Sequence, residues 1–424
     1  MSINFPPVGR EVPKSWQGTL NITYKLGDGG LKNNTVKITV NVPNKRQDVY
    51  NVIGTIYGKE EPDRWVLIGN HRDAWGFGAV DASSGTSAMM EISRGLGELL
   101  KQGWRPRRTI KFCSWAAEEA GLIGSTEWVE KNERALSTKA VTYINIDSAV
   151  YGNFTFQVYG SPLLKTPIAE NVKQVRDPHG GNVYAQMIKA KKKFTYRNLG
   201  SGSDYASFYQ FVGVPSLHMR YAGRVYYPVY HTVHDTYKWL QGLIDPKFEY
   251  HLTTARVASK ILLSTADSFV LPLDVTEYVK SLDSSLEALK KHYGAELQKN
   301  NVTLKYIEDA IKKFKHEATK FQAEKDKAID EKEDIKLRAL NDRMVNVEKA
   351  FITAPGLPNR PMTRHVIFAP SVNNAYGSTS FPGISDLVAK QNKTNQDWLD
   401  IKKQTSIAFR AISEATDTLK ADAN

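Results

Sequence analysis

Hydrophobic and polar positions follow three regimes along the chain. In residues 1–49, rich in Pro, Asn, Lys and Gly, only Val36-Lys37-Ile38-Thr39-Val40-Asn41-Val42 alternates, which predicts an exposed strand. From about 50 to 265, short apolar runs alternate with helical patterns. The runs predict strands at Tyr50–Tyr57, Trp65–Ile68, Thr109–Ser114, Val141–Ile146, Phe154–Tyr159 and Ser216–Met219. Several are nearly continuous, as in a sheet covered on both faces. Within 85–100, Met89, Ile92, Leu96 and Leu99 recur at helical spacing, and Gly103 and Pro106 end that helix. This predicts an α/β domain with helices on both sides of its sheet.

Beyond about 270 the composition changes. Residues 272–290, 303–350 and 396–420 are rich in Lys, Glu, Ala and Leu at helical spacing, and Leu304 to Ala350 contains no Pro or Gly. Such segments predict a helical bundle or a dimerisation arm. Between them, 353–383 carries Pro355, Pro358, Pro361, Pro370 and Pro382, which predicts a long irregular loop of the kind that often serves function. No internal repeat is visible.

Composition narrows the classes. With 41% hydrophobic and 24% charged residues, the 424-residue chain reads as an ordinary globular protein of two or three domains. No apolar run approaches the ~20 residues of a membrane span, and residues 1–20 lack the layout of a signal peptide. The lone cysteine, Cys113, sits in an apolar run and reads as a buried thiol. Sequons at Asn21, Asn33, Asn153, Asn301 and Asn392 weakly favour a secretory route. The net charge of +12 could suit an anionic partner. No nucleic-acid motif accompanies the basic cluster Lys189-Ala190-Lys191-Lys192-Lys193, so nucleic acid is not an expected partner.

Candidate chemistry sits at the ends of the apolar runs. Leu67-Ile68-Gly69-Asn70-His71-Arg72-Asp73 ends a run in a His, and Asp81 follows in a Gly-rich loop. Glu118-Glu119 follows the run ending at Ser114-Trp115. Asp147 closes Asn145-Ile146-Asp147, and His231 lies in Tyr230-His231-Thr232-Val233-His234. A Glu pair at a helix start more often offsets the helix dipole, and His-x-Asp alone is weak. Four such segments in order at strand ends point instead to a metal site, because those ends converge on one crevice. Imidazole and carboxylate suit zinc. Two metals would need five ligands with one Asp shared, which leaves one Glu as general base. Asp73 is placed to take the spare N–H of His71. His218, His234, His251 and His365 lack such context and read as structural or substrate-facing.

Several runs together resemble the glutamate carboxypeptidase, or N-acetylated-alpha-linked acidic dipeptidase, branch of the di-zinc exopeptidases, which is related to the transferrin receptor. They are Gly69-Asn70-His71-Arg72-Asp73-Ala74-Trp75, Trp104 to Ile110, Ala117 to Trp128, Tyr143 to Ser148, Gly356 to Pro361 and Arg364 to Pro370. The resemblance runs from residue 14 onward. It implies a zinc-exopeptidase sheet flanked by helices at 50–268, and a helical dimerisation domain at 269–424 that carries the Pro-rich loop 353–383. Residues 1–49 would be a remnant of an apical domain and linker. His71 and Asp147 with the bridging Asp81 would hold one zinc, and Asp81, Glu119 and His231 the other. Glu118 would be the general base, and Tyr230 would hydrogen-bond the reacting carbonyl. Glu127 and Glu130 match a structural calcium site, and Gly202, Ser203, Arg220 and Tyr376 match substrate-pocket positions.

The resemblance also implies a homodimer acting on peptides, in the extracellular space or a secretory lumen. Measured against the family, Met1 falls near the end of the apical domain. The expectation is therefore a chain lacking the anchor and opening elements of a type II membrane protein. The pocket departs from the family's pattern: Ala375 replaces a Lys, Ser203 an Asn, and His218 and Gln157 replace arginines. A pocket that loses a cation loses much of its hold on a dicarboxylate. The expected activity is hydrolysis of terminal peptide bonds, carboxypeptidase-type without strict glutamate selectivity, with aminopeptidase or dipeptidase activity left open because the same di-zinc core serves both. The alternative is a catalytically impaired, receptor-like dimeric binding module.

Overall fold

The computed structural model describes residues 9–17, 25–26, 37–42 and 45–420. The chain divides into two units, residues 1–48 and 49–424. In the first, β1 (Arg10–Glu11) pairs antiparallel with β2 (Lys25–Leu26). The strand expected at Val36–Val42 does not form over its described part, Lys37–Val42; Val36 lies outside the described residues. Alternation makes a strand only where a neighbour offers a ladder, and here Ile38, Val40 and Val42 stand exposed. Asn21 and Asn33 also lie outside the described residues, whereas Asn153, Asn301 and Asn392 are exposed.

The second unit opens with β3 (Val52–Ile56) and β4 (Glu61–His71), then α1 (Ser83–Lys101), β5 (Arg108–Trp115), α2 (Ile123–Lys131), α3 (Glu133–Lys139) and β6 (Ala140–Asn145). There follow β7 (Thr155–Gly160), α4 (Lys165–Lys173), α5 (Val183–Lys191), β8 (Tyr196–Arg197), the short α6 (Tyr205–Ser207), β9 (Ser216–Ala222), the short α7 (Tyr237–Trp239) and α8 (Glu249–Ala266). The seven strands form one mixed sheet in the order β3-β5-β4-β6-β9-β7-β8. At its centre β5, β4, β6 and β9 are mutually parallel, so their C-terminal ends lie along one edge. The apolar runs predicted six of these strands to within a few residues, and the two-residue β8 was not among them. Val66, Leu67 and Ile68 of β4 are fully buried, each worth about 1.5–3 kcal/mol of transfer from water. The stripe Ala88, Met89, Ile92 and Leu96 lays α1 against the same core.

The helical region comprises α9 (Val275–Lys299), α10 (Lys305–Glu331), α11 (Asp334–Lys349), α12 (Pro382–Val388) and α13 (Asn395–Thr418). Residues 303–350 are not one helix. Lys332 turns left-handed (φ 56°) and separates α10 from α11, a break without Gly or Pro to announce it. The expected irregular loop 353–383 also holds regular structure: β10 (Phe368–Ser371) pairs antiparallel with β11 (Asn374–Ser380), and α12 starts inside it. Pro370 sits in a two-stranded sheet with a free edge, and Pro382 takes the first helical position, two places where a missing N–H costs nothing.

A fully buried carboxylate, Glu348 of α11, ties these parts together. It accepts hydrogen bonds from Ser161 after β7, from Tyr278 of α9 and from His365 Nε2 at 2.9 Å. His365 Nδ1 accepts the backbone N–H groups of Ile367 and Phe368, which makes the ring a neutral Nε2–H donor. Among the described residues, no helix is long and apolar enough to cross a membrane.

Candidate metal centre

Three adjacent parallel strands deliver the site. β4 ends in His71, β5 leads to Glu118-Glu119, and β6 leads to Asp147. His71 Nε2 lies 3.1 Å from Asp147 Oδ1, 3.2 Å from Asp81 Oδ1 and 3.9 Å from Glu118 Oε2. His231 Nε2 lies 3.4 Å from Asp81 Oδ2 and 3.2 Å from Glu119 Oε2. The two oxygens of Asp81 therefore face different imidazoles. Two left-handed residues shape the turns: Ala117 (φ 54°) precedes the Glu pair, and His231 itself has φ 55°. Non-glycine residues held this way are strained, and such strain gathers at functional sites.

The Asp81 loop is fixed by contacts that the sequence did not announce. Asp235, almost fully buried, accepts the backbone N–H of Val80 at 2.9 Å and of Asp81 at 3.1 Å. Asn70, one residue before His71, donates to the Ala82 carbonyl and accepts from Thr86. Gly85 allows α1 to start against the end of β6: a Cβ there would lie 1.8 Å from the Ile146 oxygen and 1.9 Å from that of Asp147. Nothing in the sequence singled out Asp235; the fold alone brings it to residues 80 and 81.

The expected partnership of Asp73 is rearranged. His71 Nδ1 lies 3.0 Å from the backbone carbonyl of Asp73, whereas the Asp73 carboxylate is 3.7 Å away. That carboxylate instead accepts the N–H groups of Glu118 and Glu119, both at 3.1 Å. An oxygen two residues along the chain reaches the ring more directly than the side chain, which is left free to pin the turn of the Glu pair. Ser203 is also corrected. It is buried, donates to Asp147 Oδ2 at 2.5 Å and accepts from Asn145 at 2.9 Å, so it supports Asp147 from behind the pocket. Asn145 is held in turn by Tyr143, and Tyr143 by Trp115.

A cavity of about 920 Å³ opens beside the site, reaching Asp81 and Asp147. Gly202, Arg220, Tyr230 and Tyr376 line it. The Tyr230 hydroxyl meets that of Tyr376 at 2.6 Å, and the Tyr230 ring stacks on His231 at 3.7 Å. Gly202 makes room for the Tyr376 ring, 2.5 Å from where a Cβ would stand. His218 also lines the cavity; its Nδ1 meets Asn145, and burial beside Arg220 pushes its pKa down to about 3, so it stays neutral. His251 bonds Asp245, and His365 serves Glu348, so both are structural. Glu127 and Glu130 are exposed on one face of α2; among the described residues no third donor joins them in a metal-binding group.

The donor set fits zinc: donor atoms of His71, Glu118 and Asp147, and of His71, Asp81 and Glu119, lie within 4.8 Å of one another, and His231 adjoins Asp81 and Glu119. Its electrostatics fit a cation as well. Burial and the neighbouring Asp147 push Glu118 up to about 10, and burial with Asp81 pushes Glu119 up to about 7. Burial would lower His71, but Asp147 and its other acidic partners outweigh it and hold the ring well above its usual range. So many carboxylates in one buried space call for a positive charge.

Residues 51–244 match Peptidase family M28, and residues 302–420 match the transferrin receptor-like dimerisation domain. Aminopeptidase NAALADL1 of Rattus norvegicus is 38% identical over 97% of this chain and 58% of its own length. Probable glutamate carboxypeptidase LAMP1 of Arabidopsis thaliana is 42% identical over 88% of this chain and 54% of its own. The chain thus spans little more than half the length of these relatives. Among solved structures, BSAP, a zinc aminopeptidase from Bacillus subtilis, aligns at 21% identity over 50% of this chain and 48% of that one, with a TM-score of 0.37. The chain thus carries a stretch similar to peptidases of family M28, followed by one similar to the transferrin receptor-like dimerisation domain.

Proposed function

We propose that this chain is a di-zinc metallo-exopeptidase that hydrolyses terminal peptide bonds of small peptides. One observation carries the reading: His71, Asp81, Glu118, Glu119, Asp147 and His231 converge beside one cavity at the C-terminal ends of parallel strands. His71 and Asp147 would hold one zinc ion, Glu119 and His231 the other, and Asp81 would serve both through its two oxygens. Bound zinc would polarise the peptide carbonyl and lower the pKa of water toward ~7.

The remaining steps belong to the chain. Glu118, the carboxylate of the pair that stands nearer His71 and Asp147, takes the proton of the attacking water and passes it to the leaving amine. Asp73 holds the backbone of Glu118 and Glu119, so that base and ligand keep their separate directions. Tyr230, fixed by Tyr376, presents its hydroxyl to the reacting carbonyl. The two relatives' names, aminopeptidase and probable glutamate carboxypeptidase, bracket the activity. With Ala375 in place of a Lys, we favour a carboxypeptidase without strict glutamate selectivity. We also assign residues 50–268 to the peptidase domain and 269–424 to homodimerisation, give Glu127 and Glu130 to calcium, and place the protein outside the cytosol. The dimerisation-domain match supports the homodimer.

Atomic spectroscopy on the purified chain should find about two zinc ions per chain. Glu118→Ala should keep the metal and lose hydrolysis of terminal residues. Absence of zinc together with unchanged activity in Glu118→Ala overturns the reading.

A further inference from the structure

A hydrogen bond between hydroxyls and amides can run either way, because each group both gives and accepts. Behind the metal centre one chain of bonds has its direction fixed from both ends. The indole N–H of Trp115 only donates, and it meets the Tyr143 hydroxyl at 2.8 Å. That oxygen accepts there, so its own proton goes to Asn145 Oδ1 at 3.1 Å. Asn145 then spends both hydrogens of its NH₂ group, on Ser203 Oγ at 2.9 Å and on His218 Nδ1 at 3.1 Å. Ser203 in turn gives its proton to Asp147 Oδ2, a carboxylate oxygen that only accepts.

Trp115, Tyr143 and Asn145 are fully buried, and Ser203 is nearly so. Room for the first bond is kept by Gly69: a Cβ there would stand 2.4 Å from the Tyr143 hydroxyl and 2.9 Å from the Trp115 nitrogen. Bonds that run head to tail polarise one another, so the indole strengthens the hydroxyl that holds Asp147. Oδ1 of Asp147 is left to face His71 Nε2 at 3.1 Å and Ser148 at 3.2 Å. The other branch ends on His218. Because that ring accepts at Nδ1, its proton stands on Nε2, which meets no protein acceptor among the described residues. The ring lines the cavity.

We propose that Trp115 and Tyr143 are positioning residues: the one-way chain they begin holds Asp147 through Asn145 and Ser203, and fixes His218 as a neutral ring with its N–H on Nε2. His218 can then donate to a carbonyl oxygen in the cavity, and at that atom it accepts nothing. The role at Asp147 rests on the di-zinc reading, whereas the His218 tautomer is independent of it.

Two measurements on the full chain test this. Zinc affinity is read by competition with a chromophoric chelator, with circular dichroism to establish folding. Tyr143→Phe removes one hydroxyl and keeps the ring that stacks on Phe208, and it should weaken zinc binding about tenfold, the low end for outer supports of a metal site. Ser203→Ala should cost about as much, and the double variant no more than either, because both changes cut one chain. Two merely structural roles would add to about a hundredfold. In the parent chain grown with isotope-labelled histidine, proton–nitrogen correlation spectra should show His218 protonated on Nε2 alone, its signal identified by its loss in His218→Gln. This second measurement decides the matter if Tyr143→Phe does not fold. Additive losses, a Tyr143→Phe protein within about twofold of the parent, or a His218 proton on Nδ1 would overturn the chain. A parent that binds no zinc yet shows the Nε2 tautomer would sink the di-zinc reading and leave the chain standing.

Discussion

Asp235→Asn tests how the shared carboxylate is held. Asp235 is 2% exposed, and its two oxygens accept one backbone N–H each, from Val80 and Asp81. An amide of the same shape offers a single acceptor and turns an NH₂ group toward the other N–H. One charge-assisted bond is lost, worth about 1.5–3 kcal/mol, and a buried donor is left unmade. Asp81 then loses its fixed direction toward both imidazoles. At 1.4 kcal/mol per tenfold, the expected loss is roughly 10- to 100-fold in zinc affinity, the size seen when outer supports of a metal site are removed. The assay is competition for zinc against a chromophoric chelator at neutral pH, with circular dichroism to establish folding. A folded Asp235→Asn protein whose zinc affinity stays within about twofold of the parent would refute the reasoning. The loop would then hold Asp81 without Asp235.

Other outcomes follow from the same geometry. Glu118→Gln should retain zinc by atomic spectroscopy and lower kcat by roughly 10²–10⁴, the usual worth of a general base. Ser203→Ala removes the 2.5 Å bond to Asp147 and should weaken zinc binding by about tenfold. Gly85→Ala pushes a methyl into the Ile146 and Asp147 carbonyls, and should yield protein that thermal melting finds severely destabilised. The metal-free chain should melt lower as pH rises. Glu119, pushed from 4.5 to about 7, keeps in the folded state a proton that the unfolded chain releases, so stability falls with rising pH between those values. A metal-free melting temperature that does not fall between about pH 5 and 7, or one that falls just as far in Glu119→Gln, would contradict this.

The ends of strands were the legible part of this molecule. An apolar run closing on His71, Trp115 or Asn145 carries both the strand and the direction in which its next residues point. Which strands lie side by side is not written locally: that β4 sits between β5 and β6 follows from packing across the whole sheet. The supports were hidden for the same reason. Asp235 reaches residues 80 and 81 only after the chain has crossed the sheet, and Ser203 could pass for a pocket residue until its hydroxyl was seen to face Asp147. Asp73 lies beside His71, but spacing could not tell its carbonyl from its carboxylate. The Pro-rich stretch misled because Pro forbids only interior ladder and helix positions. Pro370 and Pro382 occupy permitted ones.

The Glu348 knot bears on how this protein can be taken apart. Its donors come from Ser161, Tyr278 and His365, so the carboxylate is satisfied only when sheet, helices and hairpin segment are all in place. A buried charge stripped of its donors is costly, which makes partial unravelling of the helical region self-defeating. A chain cut near residue 268 would lose Tyr278, Glu348, His365 and the Tyr376 wall of the cavity together. The sheet region is therefore not a portable module: it should melt in one transition with the helices.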